Sequence, residues 1–267
     1  MNNPEHPSFD IPDFDFLEDS EGFEVGAIEY TPRNPTCLTY WFPKILEAGL
    51  HVPKTTIIYG NEDQLRDLYK IFDCKKPEGP IYEMVSQVLN AAKEIGFPCF
   101  LRNSQTSAKH YWKDSCYLTA KSDILSHMAS IIEYEELGHW SSTNIWVVRE
   151  FLPTMPIGYC EGYRGMPICR EFRIFVEDDI VKCCHPYWPL EAFEQGRAKT
   201  NPGFDYEAFC TLNEQEHNKL YELASLAGKV VKGAWSIDFL ETKNGWYLTD
   251  MAEAHKSFHW EGCPNHA

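Results

Sequence analysis

The sequence predicts an α+β fold built as two lobes that follow a short N-terminal α/β region. Apolar residues recur at helical spacing in several segments, and β-branched or aromatic runs lie between those segments. Two late runs, SIDFLE and WYLTDMAE, flank an Asn-Gly pair, which is the strongest short-range hairpin signal. With 267 residues, 43% of them hydrophobic, the chain can bury a sizeable core.

The sequence predicts an acidic arm over residues 1–23 and the short α/β region over residues 24–79. The arm is rich in proline and acids and shows no sustained period. After it, helical spacing over 38–50 is followed by the β-branched run TTIIY at 55–59 and by a second helical pattern over 62–72.

The sequence predicts a small lobe over residues 80–150 and a large lobe over residues 151–267, with a cleft between them. The small lobe is expected to contain helices over 80–96 and 122–135 and strands over 98–102, 115–119 and 144–152. The large lobe is expected to contain strands over 167–176 and 180–185, a helix opened by the capping box Asn213–Glu216, and the C-terminal hairpin.

Composition disfavours several classes of protein. A net charge of -16 repels a nucleic-acid backbone at long range, so nucleic-acid binding would require basic residues gathered locally, and any phosphate site must be a built pocket. No run reaches the roughly 18 apolar residues of a membrane span, and the N-terminus lacks a signal-peptide pattern. We therefore expect a cytoplasmic protein with no membrane partner.

Asp238 and Asp250 place one carboxylate in each strand of the predicted hairpin. Pairing through a simple Asn-Gly turn puts Asp238 opposite Met251 and the two carboxylates on opposite faces, whereas a longer loop or a bulge restores a shared face. Converging carboxylates repel unless a cation lies between them, and Mg²⁺ takes one or two carboxylates plus phosphate oxygens. Alternatively, Asp250 caps a strand end and Asp238 pairs with a nearby Lys or Arg.

Basic side chains in or beside apolar strands provide matching positive charge. Arg102 ends a strand, and Lys109 and Lys113 lie in the polar loop that follows it. Arg170 and Arg173 lie an odd number of positions apart in CREFRIFV, so one of them faces inward if the strand is regular. An inward Arg can simply pair with an acid, but this combination also suits a phosphate chain bridged by a metal ion.

The order of these segments resembles the ATP-grasp superfamily, in which two α+β lobes hold ATP between them. The resemblance runs from about Phe97 to the C-terminus, over FLRNSQTSAKHYWKD, VVREFLP, REFRIFV, SIDFLE and WYLTDMAEAH. The first stretch is similar to a phage-associated clade named for two arginines and a lysine, and more distantly to the cell-division-cycle 123 type. A phage-encoded member would be located in the host cytoplasm.

The resemblance implies ATP and Mg²⁺ as cofactors and a role for each matching residue. The residues expected to contact the phosphates are Arg102, Lys109 and Lys113. The hinge expected against adenine consists of Glu150, Phe151 and Leu152. The catalytic cations around the transferring phosphoryl group are expected to be Lys109 and Arg173.

The same resemblance assigns Mg²⁺ to Asp238 and Asp250, with two departures from the family pattern. The Asn that usually follows the second acid is absent, so Glu253 is the candidate substitute. The phosphate loop has Ser107 and Ala108 where close backbone approach favours glycine.

The resemblance implies an enzyme, namely an ATP- and Mg²⁺-dependent ligase that phosphorylates a carboxylate and lets an amine attack the acyl phosphate. The expected acceptor is a peptide or a protein. Two other functions stay open. One is a non-catalytic ATP-binding assembly factor of the cell-division-cycle 123 type, and the other is an RNA-end ligase, which would need a basic surface.

Cysteine and histidine residues raise the separate question of zinc. Adjacent strand residues face opposite ways and the spacings fit no common ligand pattern, so core packing is the prediction for Cys160, Cys169, Cys183, Cys184 and His185. The tail residues that either reach a substrate or close the core are His255, His259 and Cys263.

Overall fold

The computed structural model describes residues 35–72, 75–138 and 143–265. The acidic arm predicted over 1–23 lies outside the described residues. Three antiparallel sheets organise the described part of the chain.

The first sheet has four strands in the order β1-β4-β2-β3. These strands are β1 (Thr55–Tyr59), β2 (Cys99–Asn103), β3 (Tyr117–Leu118) and β4 (Ile145–Glu150). The helices beside them are α2 (Glu62–Tyr69), α3 (Pro80–Ile95) and α4 (Ile124–Leu137). Since β1 pairs with β4, a strand of the N-terminal region completes the sheet of the following segment.

The second sheet also has four strands, in the order β11-β10-β7-β8. They are β7 (Glu171–Glu177), β8 (Ile180–Pro186), β10 (Ala234–Thr242) and β11 (Gly245–Glu253). One face packs against α1 (Leu38–Glu47) and α7 (Glu214–Val231). Representative side chains of that core are Trp41, Ile174, Leu220, Ile237 and Leu248. The opposite face of the sheet carries Arg173 and Asp238, which pair with each other.

The third sheet is small and has the order β6-β5-β9. Its strands are β5 (Gly158–Cys160), β6 (Met166–Ile168) and β9 (Ala198–Thr200), and the short helices nearby are α5 (Leu190–Glu194) and α6 (Tyr206–Cys210). An aromatic cluster that includes Trp112, Trp188 and Phe209 accompanies it. Except for β6, the sequence did not predict these elements, because three to five residues are too few to establish a period.

The expected α+β class is confirmed, and so is the capping box that opens α7. The backbone N–H of Glu216 donates to Asn213 Oδ1 at 2.9 Å, and the backbone N–H of Asn213 donates to Glu216 Oε2 at 2.9 Å. The single strand predicted over 167–176 is wrong. The chain leaves the third sheet after Ile168 and enters the second at Glu171, and an apolar pattern that continues through both strands does not reveal the change of partner.

The described residues contain free cysteines, six of them buried. Among residues 35–72, 75–138 and 143–265, the helices are all too short or too polar to cross a membrane.

Candidate functional site

One cleft is lined by residues from all three sheets. Its cations are Arg102 on β2, Arg149 on β4, and Lys109 in the 3₁₀ helix Lys109–Asp114. Its carboxylates include Glu171 on β7 and Asp250 on β11. Three cations thus gather in one cleft of a chain whose net charge is -16.

The turn of the C-terminal hairpin lies one residue earlier than predicted. The two turn residues are Lys243 and Asn244, while Gly245 already belongs to β11. Gly245 has φ +102°, a conformation that side chains disfavour, so glycine is required there for the first residue of the strand.

A bulge in this hairpin brings the two predicted metal-binding acids together. The pairing shifts between Asp238 and Phe239, where Thr249 is the additional residue on β11. Asp250, and not Met251, therefore lies directly opposite Asp238. Of the two registers considered from the sequence, the bulged one is confirmed, because an extra residue restores a shared face.

The two acids are held by two arginines, one from the second sheet and one from the first. Asp238 forms a two-pronged ion pair with Arg173 of β7, with both N···O distances at 2.8 Å. Asp250 accepts from Arg102 of β2 at 2.9 Å. The first contact is what the alternative interpretation of Asp238 requires, so this pair alone does not define a metal site.

Asp250 remains charged and has one oxygen available. Burial raises the pKa of its carboxyl, but Arg102 and Lys109 outweigh burial and hold that pKa below the usual value. Oδ1 accepts from Arg102 and from the backbone N–H of Met251, whereas within the described residues Oδ2 accepts no hydrogen bond.

Lys109 enters the cleft from a loop that follows β2. The residue before it, Ala108, has φ +49°, the left-handed conformation that glycine adopts at lower cost, so the backbone turns sharply without the expected glycine. The Nζ of Lys109 lies 5.0 Å from the centre of the Tyr187 ring. Burial lowers the pKa of Lys109, but Tyr187, Glu171 and Asp250 outweigh burial and raise it, so the ammonium stays charged.

Glu171 is a cleft residue that the sequence analysis missed. It lies two positions before Arg173 on β7 and hence on the same face of the sheet. Burial, together with Asp238 and Asp250, raises the pKa of Glu171 to about 7, although Lys109 opposes the shift. Glu171 and Arg173 lie two positions apart in EFR and so share one face of the strand, which was the signal that could have identified Glu171.

Arg149 is the second residue that was missed. Its Nε donates to Thr55 Oγ1 at 3.1 Å and its Nη1 to the bulge carbonyl of Thr249 at 2.5 Å. Its Nη2 is buried and has no hydrogen-bond partner among the described residues. Burial, and then Arg102, lower the pKa of Arg149 to about 9. A charged residue inside the apolar run WVVREF was the available signal.

The predicted hinge lines the same cleft. Glu150 exchanges hydrogen bonds with Lys54, since its N–H donates to the Lys54 carbonyl at 2.8 Å and its Oε2 accepts from the Lys54 N–H at 3.2 Å. Phe151 packs on Tyr117 with ring centres 5.1 Å apart, and Leu152 is buried. This end of the cleft is therefore largely apolar.

Five residues considered for phosphate or metal binding do not line the cleft: Asp238, Arg173, Lys113, Glu253 and Arg170. Lys113 is exposed and lies beside Gly165. Glu253 forms an ion pair with Lys256 at 2.5 Å. Arg170 pairs with Glu216 and Glu241, so of the two arginines compared in CREFRIFV, only Arg173 pairs with one of the two predicted metal-binding aspartates.

The donor set suits a hard cation bound together with phosphate oxygens. Asp238, Asp250 and Glu171 offer only carboxylate oxygens, the ligands that Mg²⁺ prefers, and Mg²⁺ needs just one or two of them when phosphates complete its octahedron. Asp250 retains a free oxygen, and burial, with a contribution from the neighbouring Asp238 and Asp250, raises the pKa of Glu171. The residues therefore fit the implied ion.

Comparison with known proteins supports the fold. No protein-family model and no curated protein match the sequence. Among solved structures, a RimK domain ATP-grasp protein from Sphaerobacter thermophilus matches with 12% identity and TM-score 0.46 over 82% of this chain, which spans 59% of that protein's length.

Two solved structures match with higher TM-scores. C-terminally truncated Cdc123 from Schizosaccharomyces pombe has TM-score 0.55 and 14% identity over 82% of this chain and 83% of that one. Biotin carboxylase from Campylobacter jejuni, in a beta-gamma-ATP complex, has TM-score 0.52 and 14% identity over 85% of this chain and 42% of that one. The chain has the ATP-grasp fold that its sequence led us to expect.

Proposed function

We propose that the cleft binds ATP with Mg²⁺ and that the protein is an ATP-dependent ligase. The observation that carries this proposal is the convergence of Arg102, Lys109 and Arg149 with Glu171 and Asp250 in one cleft. Cations and carboxylates gathered in one cleft suit a polyphosphate whose charge is shared between protein and metal.

The cationic end would hold the phosphates. Arg102 offers a fixed guanidinium that is already oriented by Asp250, and Lys109 supplies a point charge from the loop that follows β2. Arg149, whose Nη2 lacks a partner among the described residues, is a third donor that we add to the expected set. The apolar end, formed by Glu150, Phe151 and Leu152, would lie against adenine.

The carboxylates would hold Mg²⁺, which when bound neutralises charge on the phosphates. Asp238 and Asp250 are the ligands implied by the resemblance. The missing Asn is replaced better by Glu171 than by Glu253, since Glu171 lines the cleft and Glu253 is paired with Lys256. Arg173, next to Asp238, would stabilise charge on the transferring phosphoryl group.

The reaction proposed is ligation through an acyl phosphate. An oxygen of the substrate carboxylate attacks the γ-phosphorus, and the bond between that phosphorus and the bridging oxygen of ADP breaks. An amine nitrogen then attacks the acyl carbon and phosphate leaves with its bonding electrons. A peptide or protein is the proposed acceptor, and the protein's contribution is mainly positioning and charge neutralisation.

A second candidate function is ATP binding without ligation, in an assembly factor. It is favoured by the match to Cdc123, which extends over comparable shares of both chains. An RNA-end ligase is less well supported, because the chain's net charge of -16 opposes the approach of an RNA backbone.

Binding is tested by calorimetric titration of ATP and Mg²⁺ into wild type, Lys109→Ala and Lys113→Ala. Loss of a charge-assisted contact should weaken binding roughly tenfold to a hundredfold in Lys109→Ala. Lys113→Ala is the matched control, since Lys113 is exposed and outside the cleft lining. Equal losses in both variants would make Lys113 a phosphate contact, and unchanged binding in Lys109→Ala would contradict the assigned role.

Turnover is tested by measuring ADP release with no acceptor, with a peptide pool and with an RNA pool. Stimulation by peptides supports the ligase proposal, and stimulation by RNA alone supports the RNA-end ligase. Tight binding with no stimulation by either pool would favour the assembly factor.

A further inference from the structure

Four potential metal ligands from two distant parts of the chain meet at the edge of the second sheet. Cys183 and His185 lie two positions apart on β8, and His259 and Cys263 lie in the tail after β11. One ligand atom from each residue lies within 4.8 Å of all the others. This cluster shares no residue with the proposed nucleotide site.

The geometry within the cluster is close to that of a tetrahedral site. The Sγ of Cys183 lies 3.2 Å from His259 Nε2, and the rings of His185 and His259 are 5.3 Å apart between centres. Around one zinc ion, bonds of about 2.3 Å to sulfur and about 2.0 Å to nitrogen place neighbouring ligand atoms about 3.3–3.8 Å apart. The four side chains need to contract by only about 1 Å to adopt that geometry.

The surroundings show why these four residues differ from ordinary core residues. The Nε2 atom of His185 is buried and has no hydrogen-bond partner among the described residues. A buried polar atom without a partner is costly, and coordination to a metal ion would remove that cost. His259 is held flat against Phe175, with ring centres 3.9 Å apart, so its orientation is fixed before any ion binds.

We propose that Cys183, His185, His259 and Cys263 bind one zinc ion that fastens the C-terminal tail to β8. Two thiolates and two imidazoles form a common donor set for structural zinc, and four protein ligands leave no open position for a substrate. The sequence prediction of core packing holds for Cys184, which packs against the core on the other face of β8. For Cys183 and His185, the zinc proposal replaces that prediction.

The zinc site would also support Arg173, which pairs with Asp238. His185 lies directly opposite Arg173 in the pairing of β7 with β8. The residue before His259 is Phe258, whose carbonyl accepts a hydrogen bond from Arg173 Nη1 at 3.3 Å. Fastening the tail therefore fixes one of the acceptors that orient Arg173.

The test measures zinc in the full-length, tag-free chain by mass spectrometry of the metal content. We expect about one zinc ion per chain in wild type and loss of that zinc in Cys183→Ser and His259→Ala. Cys184→Ser and His255→Ala are matched controls that should retain zinc, because Cys184 faces the core and His255 is an exposed residue of the same tail. Equal zinc in all five proteins would overturn the assignment.

A second measurement covers variants that fail to fold. Wild type stripped with a chelator is titrated with Co²⁺, and the absorption of tetrahedral cobalt bound to thiolate is expected to saturate at about one equivalent. The Sγ atoms of Cys183 and Cys263 lie within 4.8 Å of each other, so oxidation to a disulfide is the competing explanation. A wild-type mass lower by the two thiol hydrogens, with neither zinc nor a cobalt spectrum, would identify a disulfide instead and overturn the zinc site.

Discussion

Asp67 and Glu171 are both buried carboxylates, with exposed fractions of 2% and 7%, yet their surroundings shift their pKa values in opposite directions. Asp67, on α2, accepts hydrogen bonds from the backbone N–H groups of Glu78, Gly79 and Ile81 at 2.7 to 3.2 Å. It thereby caps α3, whose N-cap residue Gly79 has no side chain to do so. Burial raises the pKa of Asp67, but these hydrogen bonds outweigh burial and lower it.

Glu171 lacks such a set of donors. Its Oε1 accepts from Thr249 Oγ1 at 3.4 Å, and its neighbours include the like charges of Asp238 and Asp250. Burial is the largest cause of the rise in the pKa of Glu171 to about 7, and these like charges add to it. A buried acid whose oxygens accept several hydrogen bonds, such as Asp67, stabilises the fold. A cleft acid with a raised pKa, such as Glu171, is typical of a binding or catalytic site.

The largest effect on stability is expected for Asp67→Ala. Three backbone donors at the start of α3 lose their acceptor, so the free energy of unfolding should fall by on the order of 3 kcal/mol. Because the folded pKa of Asp67 is lowered, its stabilisation is present above the usual value of 3.8 and is lost as pH falls through the folded pKa. Urea unfolding at pH 7 and pH 3 measures the loss of stability and its pH dependence. A variant as stable as wild type at pH 7 would contradict the stabilising role of Asp67.

A smaller effect of opposite sign is expected for Glu171→Gln. Because the folded pKa of Glu171 is raised to about 7 from 4.5, the wild type without nucleotide or metal loses stability as pH rises between those values. The variant should be more stable than wild type at pH 8, by on the order of 2 kcal/mol, and similar to it at pH 4.5. Unfolding curves at the two pH values decide this, and a variant less stable than wild type at pH 8 would contradict it.

The smallest effect is expected for Asp63→Asn. Asp63 and Arg66 form an ion pair on α2 with the same spacing as Asp67 and Lys70, but the Asp63 side chain is 72% exposed. Exposed pairs contribute about 0–1 kcal/mol, so the free energy of unfolding should hardly change. Measured beside Asp67→Ala, this variant separates burial from charge; a loss as large as that of Asp67→Ala would show that burial is not the deciding factor.

Local sequence signals predicted the main elements and several residues of the cleft. The hairpin, the capping box of α7 and Arg102 at a strand end could be found because each depends on residues close together in the chain. The sequence allowed a bulge in the hairpin but did not predict its position at Thr249. The alternation of side chains along a strand does not show where an extra residue lies.

Tertiary proximity accounts for most of what was missed. Glu171 has a same-strand neighbour that could have identified it, but its importance comes from Asp238 and Asp250 on other strands. The cluster that joins Cys183 with His259 depends on the tail returning to β8, and their spacing in the sequence gave no indication of that contact.

The most direct test of the account is thermal unfolding of wild type and Asp238→Asn, each with a non-hydrolysable ATP analogue in the presence and absence of Mg²⁺. A ligand at about 100 times its dissociation constant should stabilise wild type by roughly 2.7 kcal/mol. We expect a Mg²⁺-dependent rise in the unfolding temperature of wild type and the loss of that rise in Asp238→Asn. No rise in wild type, or an equal rise in the variant, would contradict the assignment of nucleotide and metal to this cleft.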